Sequence, residues 1–252
     1  MASRPSTPHA PHYGTREIAL LSQSFQDMAR RLSDRSRYIT TFAAHVSHEL
    51  KSPLTAIQGA AELLHDDLEG DGPPMDAARR RRFLGNILAD TRRLTALLQR
   101  LRDLAQADNP VRGGRCTLAE ALTDVRTRFP GLAITIAGAA ETAVAMSAEN
   151  AVILFSHLAD NAGRHHATTL TIDIAERDWA VVATVADNGD GISSSNAPKV
   201  FDAFFTTRRD SGGTGMGLHI VQSLLRSHGG DIRLTDGTGS GATFEVTLPP
   251  VV

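Results

Sequence analysis

Ser47-His48-Glu49-Leu50-Lys51-Ser52-Pro53-Leu54 lies inside a long heptad pattern, and its register decides how the first third of the chain folds. Upstream, Ile18, Phe25, Leu32, Ile39 and Val46 fall at successive sevens, with Leu21, Met28 and Phe42 between them and Arg35 interrupting once. Downstream the seam runs through Leu50, Pro53, Ile57, Ala60 and Leu64 to a turn at Asp71-Gly72-Pro73-Pro74. Apolar residues at this spacing predict one very long helix paired with another helix. On a 3.6-residue period His48 stands about 200° from Val46 and Leu50, so it faces away from the seam and toward water. Glu49, about 100° round, can hold a proton from one imidazole nitrogen and leave the other nucleophilic. Pro53 removes the amide that would bond the Glu49 carbonyl, which predicts a local bend beside the histidine.

After the turn, Phe83, Ile87, Leu94, Leu97, Leu101 and Leu104 form a second apolar stripe that stops near Asn109-Pro110. Two antiparallel helices with one stripe each cannot bury both alone. The packing solution is a four-helix bundle made by two chains, so a homodimer is expected. From Cys116 the pattern changes. Residues 132–137, 168–174, 180–186 and 242–248 read as strands and residues 117–128, 147–163 and 215–228 as helices, an α+β layer of helices on a half-buried sheet.

Two glycine-rich loops interrupt that layer. Asp187-Asn188-Gly189-Asp190-Gly191-Ile192 closes a strand with a tight turn, and Gly212-Gly213-Thr214-Gly215-Met216-Gly217-Leu218 leads directly into a helix, where amides converge on a place for an anion. No GxxxxGK[ST] run is present, so the second loop is not a P-loop. Asn161, on the helix before them, offers a neutral oxygen to Mg²⁺ beside bound phosphates.

Bulk properties narrow the setting. The formal net charge of -2 over 252 residues gives no general attraction to nucleic acid, and Arg79–Arg82 reads as a solvated helix face. A lone cysteine, Cys116, excludes a disulfide framework and fits a reducing compartment, with the cytoplasm expected. No apolar run reaches the roughly 20 residues that span a bilayer.

In this order the motifs resemble those of a two-component sensor histidine kinase, over about residues 16–248. Residues 47–54 look like its H box, His157-Leu158-Ala159-Asp160-Asn161-Ala162-Gly163-Arg164-His165 its N box, 187–192 its G1 box, Val200–Thr207 its F box and 212–218 its G2 box. The resemblance implies a dimerisation and phosphotransfer hairpin followed by an ATP-binding sandwich of the Bergerat type. It implies His48 as phosphoacceptor with Glu49 as its base, Asp187 reading the adenine amino group with Gly189, Gly191 and Ile192 around it, and Asn161 holding Mg²⁺. Gly213, Gly215, Gly217 and Leu218 would bind phosphate under a lid at 206–213, Arg164 would meet phosphate, and Thr243 would line the adenine pocket.

Two departures from the family pattern stand out. His157 occupies the place where ATPase relatives carry a water-activating glutamate, which argues for transfer to His48 and against plain hydrolysis. Ser52 replaces the Thr or Asn usually found four residues after the phosphoacceptor, where the family positions a water for dephosphorylating its partner.

Residues 15–37 resemble the second helix of a HAMP relay. The expected organisation is a flexible segment at 1–14, this signalling helix, the phosphotransfer hairpin at 38–107, a hinge at 108–115 and the ATP-binding domain at 116–252. The sequence has no sensor, membrane span or receiver domain, so membrane contact would come only through upstream segments and the acceptor would be a separate response regulator. The expected activity is ATP-Mg²⁺-dependent autophosphorylation of His48. The alternatives are an ATPase of the same fold without phosphotransfer, or a nucleotide-binding dimeric scaffold.

Overall fold

A computed structural model describes the backbone of residues 13–70, 74–108, 114–177, 179–208, 213–235 and 241–251. The N-terminal segment up to residue 12, most of the 71–74 turn, most of the 108–115 linker and the middle of the expected lid lie outside the described residues, as do the side chains of Arg16 and Glu17. The chain divides into two compact units, Met1–Thr55 and Ala56–Val252.

The described residues of the first unit are helix. They belong to α1, Tyr13–Glu69, 57 residues that pass through Pro53 without a break in assignment. Ile18, Leu21, Phe25, Met28, Leu32 and Ile39 are all exposed, each by more than half of its surface. That is the condition of a heptad seam seen on one strand. His48 is exposed as the helical period requires, while Glu49 beside it is only 6% exposed and Pro53 is buried.

The second unit begins in the last turns of α1 and continues into α2, Ala77–Asp108. Asp67 closes this hairpin: its carboxylate accepts from Arg80 Nε at 2.7 Å and from the Met75 amide. Among the four arginines read as a solvated face, Arg80 is therefore engaged and Arg79 lies over the Phe83 ring, 5.8 Å from its centroid.

Beyond the linker come β1 (Cys116–Thr117), α3 (Leu118–Arg128), β2 (Ala133–Gly138), β3 (Ala143–Val144), α4 (Ala148–Arg164), β4 (Thr169–Arg177), β5 (Ala180–Asp187), α5 (Gly217–Ser227), β6 (Asp231–Thr235) and β7 (Thr243–Leu248). Five strands form one mixed sheet in the order β2-β4-β5-β7-β6, with β2 and β4 parallel and the other pairs antiparallel. β1 and β3 make a separate antiparallel pair. Alternation builds the layers: Leu170, Ile172 and Ile174 of β4 and Phe244, Val246 and Leu248 of β7 are buried, while Thr169, Thr171 and Asp173 point to water. The buried sides of α3, α4 and α5, with Leu122, Leu154, Phe155, Ile220 and Leu224 nearly inaccessible, complete a two-layer core.

The structure adds three strands to those expected from sequence. β1 and β3 have two residues each and carry no readable period. β6, Asp231-Ile-Arg-Leu-Thr, is short and follows Gly229-Gly230, and it is held by antiparallel pairing with β7 along its whole length. No helix among the described residues is long and apolar enough to cross a membrane.

Candidate nucleotide site

The ends of α4, β5 and α5 and the segments between them surround a cavity of about 490 Å³. Asn161, Arg164, Asp187, Gly191 and Ile192 line it, as do Gly213, Gly215, Gly217 and Leu218. Three segments spread over residues 161–218 are thus brought to one hollow. Gly189 and Thr243 are placed beside the wall: Gly189 packs its Cα against the His165 carbonyl, and Thr243 follows Ala242, which does line the cavity.

Asp187 is fixed by its surroundings. Its Oδ1 accepts from the amides of Gly189 at 2.8 Å and Ala242 at 3.2 Å, which leaves Oδ2 without a partner among the described residues. Gly241, with φ of +109°, makes that approach possible, since a Cβ there would sit 1.9 Å from the Asp187 carbonyl oxygen.

The second glycine loop works at even closer quarters. Gly215 has φ of +66°, its carbonyl accepts from the Phe204 amide at 2.9 Å, and a Cβ would lie 2.3 Å from the Phe204 carbonyl carbon. Phe204 itself is left-handed, at φ of +68°. Two adjacent segments therefore hold each other in sparsely populated conformations, as is common at binding sites. From this loop α5 starts at Gly217 with Met216 as its N-cap, which supplies no side-chain cap. The first amides of α5 lack the partner a Ser or Asp would give, and they border the cavity, a setting suited to an anion.

On α4 the polar residues follow one face at helical spacing. His157 Nε2 donates to Asp103 Oδ2 of α2 at 3.0 Å, with both side chains about nine-tenths buried. Burial pushes the Asp103 carboxyl up, but the hydrogen bonds from His157 and Gln99 outweigh it and hold the group below the ordinary carboxylate value. Asp160 accepts from Arg164 Nε and from Arg100 Nη2, both at 2.9 Å on the same oxygen. The Asn161 carboxamide is paired with nothing among the described residues and lines the cavity.

A third polar chain borders the first glycine loop. His166, at φ of +63°, has Nδ1 2.9 Å from Asp190 Oδ2 and Nε2 3.2 Å from Arg208 Nη2. Since a guanidinium only donates, His166 Nε2 accepts and Nδ1 carries the proton. The neighbouring His165 is pushed below the usual imidazole value by burial first and by the charge of Arg208 second.

The sequence motifs assign no role to Arg100, Asp103, Asp160, Thr214 or the His166–Asp190–Arg208 chain. A signal existed for two of them. Arg100 and Asp103 fall at i+3 and i+6 from Leu97 and three residues apart, between Leu97, Leu104 and Ala107, all buried, so two charges sit on the packed side of an otherwise apolar stripe.

Comparison with known proteins agrees with this layout. Residues 38–110 match the His Kinase A (phospho-acceptor) domain, and residues 147–252 match the Histidine kinase-, DNA gyrase B-, and HSP90-like ATPase family. Among relatives, the signal transduction histidine-protein kinase AfsQ2 of Streptomyces coelicolor is 31% identical over 94% of this chain, and BaeS of Escherichia coli is 27% identical over 92%. The chain spans about half the length of these two relatives, 48% and 51%. Of solved structures, the histidine kinase ThkA in complex with response regulator protein TrrA superposes with a TM-score of 0.67 at 18% identity, covering 90% of this chain and 66% of that one. Acinetobacter baumannii histidine kinase AdeS gives 0.58 at 21%, covering 81% of this chain and 98% of that one. A phospho-acceptor helical hairpin followed by an ATP-binding sandwich, with the N, G1, F and G2 motifs around one cavity, places this chain in the two-component sensor histidine kinase family.

Proposed function

We propose that the chain is an ATP-dependent protein-histidine kinase that phosphorylates its own His48 and passes the phosphoryl group to an aspartate on a separate response regulator. The observation that carries this reading is the conjunction of an exposed His48 on the phospho-acceptor helix with a cavity bounded by Asp187, Asn161 and uncapped α5 amides. Asp187 Oδ2 would accept from the adenine amino group, and Gly213, Gly215, Gly217 and Leu218 would surround the phosphates with Arg164 beside them. Gly189, Gly191 and Ile192 would shape the adenine end, next to Thr243.

Mg²⁺ fits the donor set only as a phosphate-bound ion. No group of three His, Cys, Asp or Glu among the described residues could cage it, and the Asp160 carboxylate is already committed to two arginines on one oxygen. Asn161 would contribute its carboxamide oxygen, with phosphates and water as the other ligands; the ion would neutralise phosphate charge.

In the transfer itself, one imidazole nitrogen of His48 attacks the γ-phosphorus, the bond to the bridging β-oxygen breaks, and ADP leaves. Glu49 takes the proton from the other nitrogen. Such transfer depends on in-line positioning and charge neutralisation. His157 favours this outcome over hydrolysis, since the place of a water-activating carboxylate is held by an imidazole donating to Asp103. The exposed heptad seam of α1 supports a parallel pairing of two chains and a four-helix bundle at 38–107, with the ATP-binding domain at 116–252.

Incubation with γ-labelled ATP and Mg²⁺ tests the reading in wild type, His48→Gln and Asn161→Ala. Acid-labile, base-stable label is expected in wild type alone. ATP turnover without a phosphoprotein would indicate a plain ATPase, and absence of nucleotide binding would indicate a scaffold.

A further inference from the structure

Arg100 belongs to none of the motifs around the cavity, yet it lines the cavity wall. It comes from α2, on the stripe between Leu97 and Leu104, and its side chain is 12% exposed. Nη2 donates to Asp160 Oδ2 at 2.9 Å and Nη1 to Thr214 Oγ1 at 3.1 Å, inside the Gly213-Thr214-Gly215 turn.

Two guanidinium groups, Arg100 and Arg164, converge on one oxygen of the Asp160 carboxylate in a partly desolvated corner of the cavity wall. Burial, and then the nearby charge of Arg164, weakens the Arg100 guanidinium's hold on its proton. The other carboxylates at the cavity are committed elsewhere, Asp187 to the Gly189 and Ala242 amides and Asp190 to His166. Through Thr214, Arg100 meets the second glycine loop, which leads into the uncapped start of α5. A guanidinium has five N–H donors, and two are used, so donors remain for a ligand's oxygens. The ligand chemistry that completes such a corner is a polyphosphate.

We propose that Arg100 is a phosphate-contacting residue which the hairpin helix α2 supplies to the nucleotide site. It rests on the nucleotide reading of the cavity given above. Occupancy of the phosphate end and seating of α2 on the ATP-binding domain are then linked through one side chain, and a ligand that binds the guanidinium competes with Asp160 for it.

The test measures affinity of the full chain, with Mg²⁺, for ATP and ADP by calorimetry and for adenosine by ligand-observed NMR, in wild type, Arg100→Ala and Arg100→Gln. Loss of about tenfold or more for ATP and ADP is expected in both variants, the equivalent of one charge-assisted hydrogen bond, with adenosine binding unchanged. Wild-type affinity for ATP in either variant, or an equal loss for adenosine, overturns the proposal while leaving the nucleotide reading intact. A wild-type chain that binds none of the three overturns that reading and the proposal together.

Discussion

Asp187 illustrates how a single side chain is made into a recognition group. Two backbone amides occupy Oδ1 and so fix the carboxylate plane, leaving Oδ2 for a ligand's N–H. Asp187→Asn should lower ATP affinity by about tenfold or more and reduce discrimination against GTP, as expected when a built polar contact is mismatched. Competition titrations of ATP against GTP check this; unchanged discrimination would remove Asp187 from adenine recognition. Gly215 makes a different kind of demand. Any side chain there meets the Phe204 backbone at φ of +66°, so Gly215→Ala should cost about 1–3 kcal/mol of stability and weaken ATP binding as well. Thermal melting with and without ATP would show both effects. These two residues were legible in the sequence because a strand-ending Asp and a glycine run have few other uses together. Gly241, whose close approach to Asp187 holds that end of the site, was not singled out in the sequence: it ends the run Gly237-Thr238-Gly239-Ser240-Gly241, which reads as an ordinary turn before a strand.

At the level of elements, the contact of α2 with α4 and α5 matters most. Gln106 of α2 donates to Asn150, which is itself 1% exposed, and Asp103 accepts from His157. Asp103→Ala would leave a buried imidazole N–H without an acceptor and should cost about 1–3 kcal/mol. The sign of its pH dependence follows from the lowered folded value of Asp103. A depressed carboxylate contributes stability that is full above its unfolded value, near 3.8, and is lost as pH falls through the folded value. The stability difference between wild type and Asp103→Asn should therefore be largest near neutrality and shrink below pH about 4. Denaturation series across pH check it; a gap that widens in acid would contradict the assignment. The helices of the ATP-binding domain were legible to within two residues from apolar spacing. Their interlocking with α2 was hidden, because polar residues that pair across 44 and 54 positions leave no local period.

At the scale of the molecule, the unmet requirement is the seam of α1. Phe25 and Leu32 are each about 70% exposed in a single chain, more apolar surface than an isolated helix leaves in water without a partner. Phe25→Glu combined with Leu32→Glu should weaken self-association without changing nucleotide affinity, as read by light scattering and calorimetry. A variant that remains as fully associated as wild type would move the dimer contact elsewhere. The fold class was readable because the period switches once, from seven-residue spacing to short β-branched runs, and that switch separates a helical hairpin from a sandwich. The short strands β1, β3 and β6 are set by pairing partners and so emerged only in three dimensions.

The central claim is that phosphate from ATP arrives on one imidazole. Peptide mapping by mass spectrometry under alkaline conditions, after incubation with ATP and Mg²⁺, tests it most directly. The expected result is a phosphoryl group on His48 and no modification in the His48→Gln variant. Phosphate on another residue, or release of free phosphate from a chain that is never modified, would contradict it.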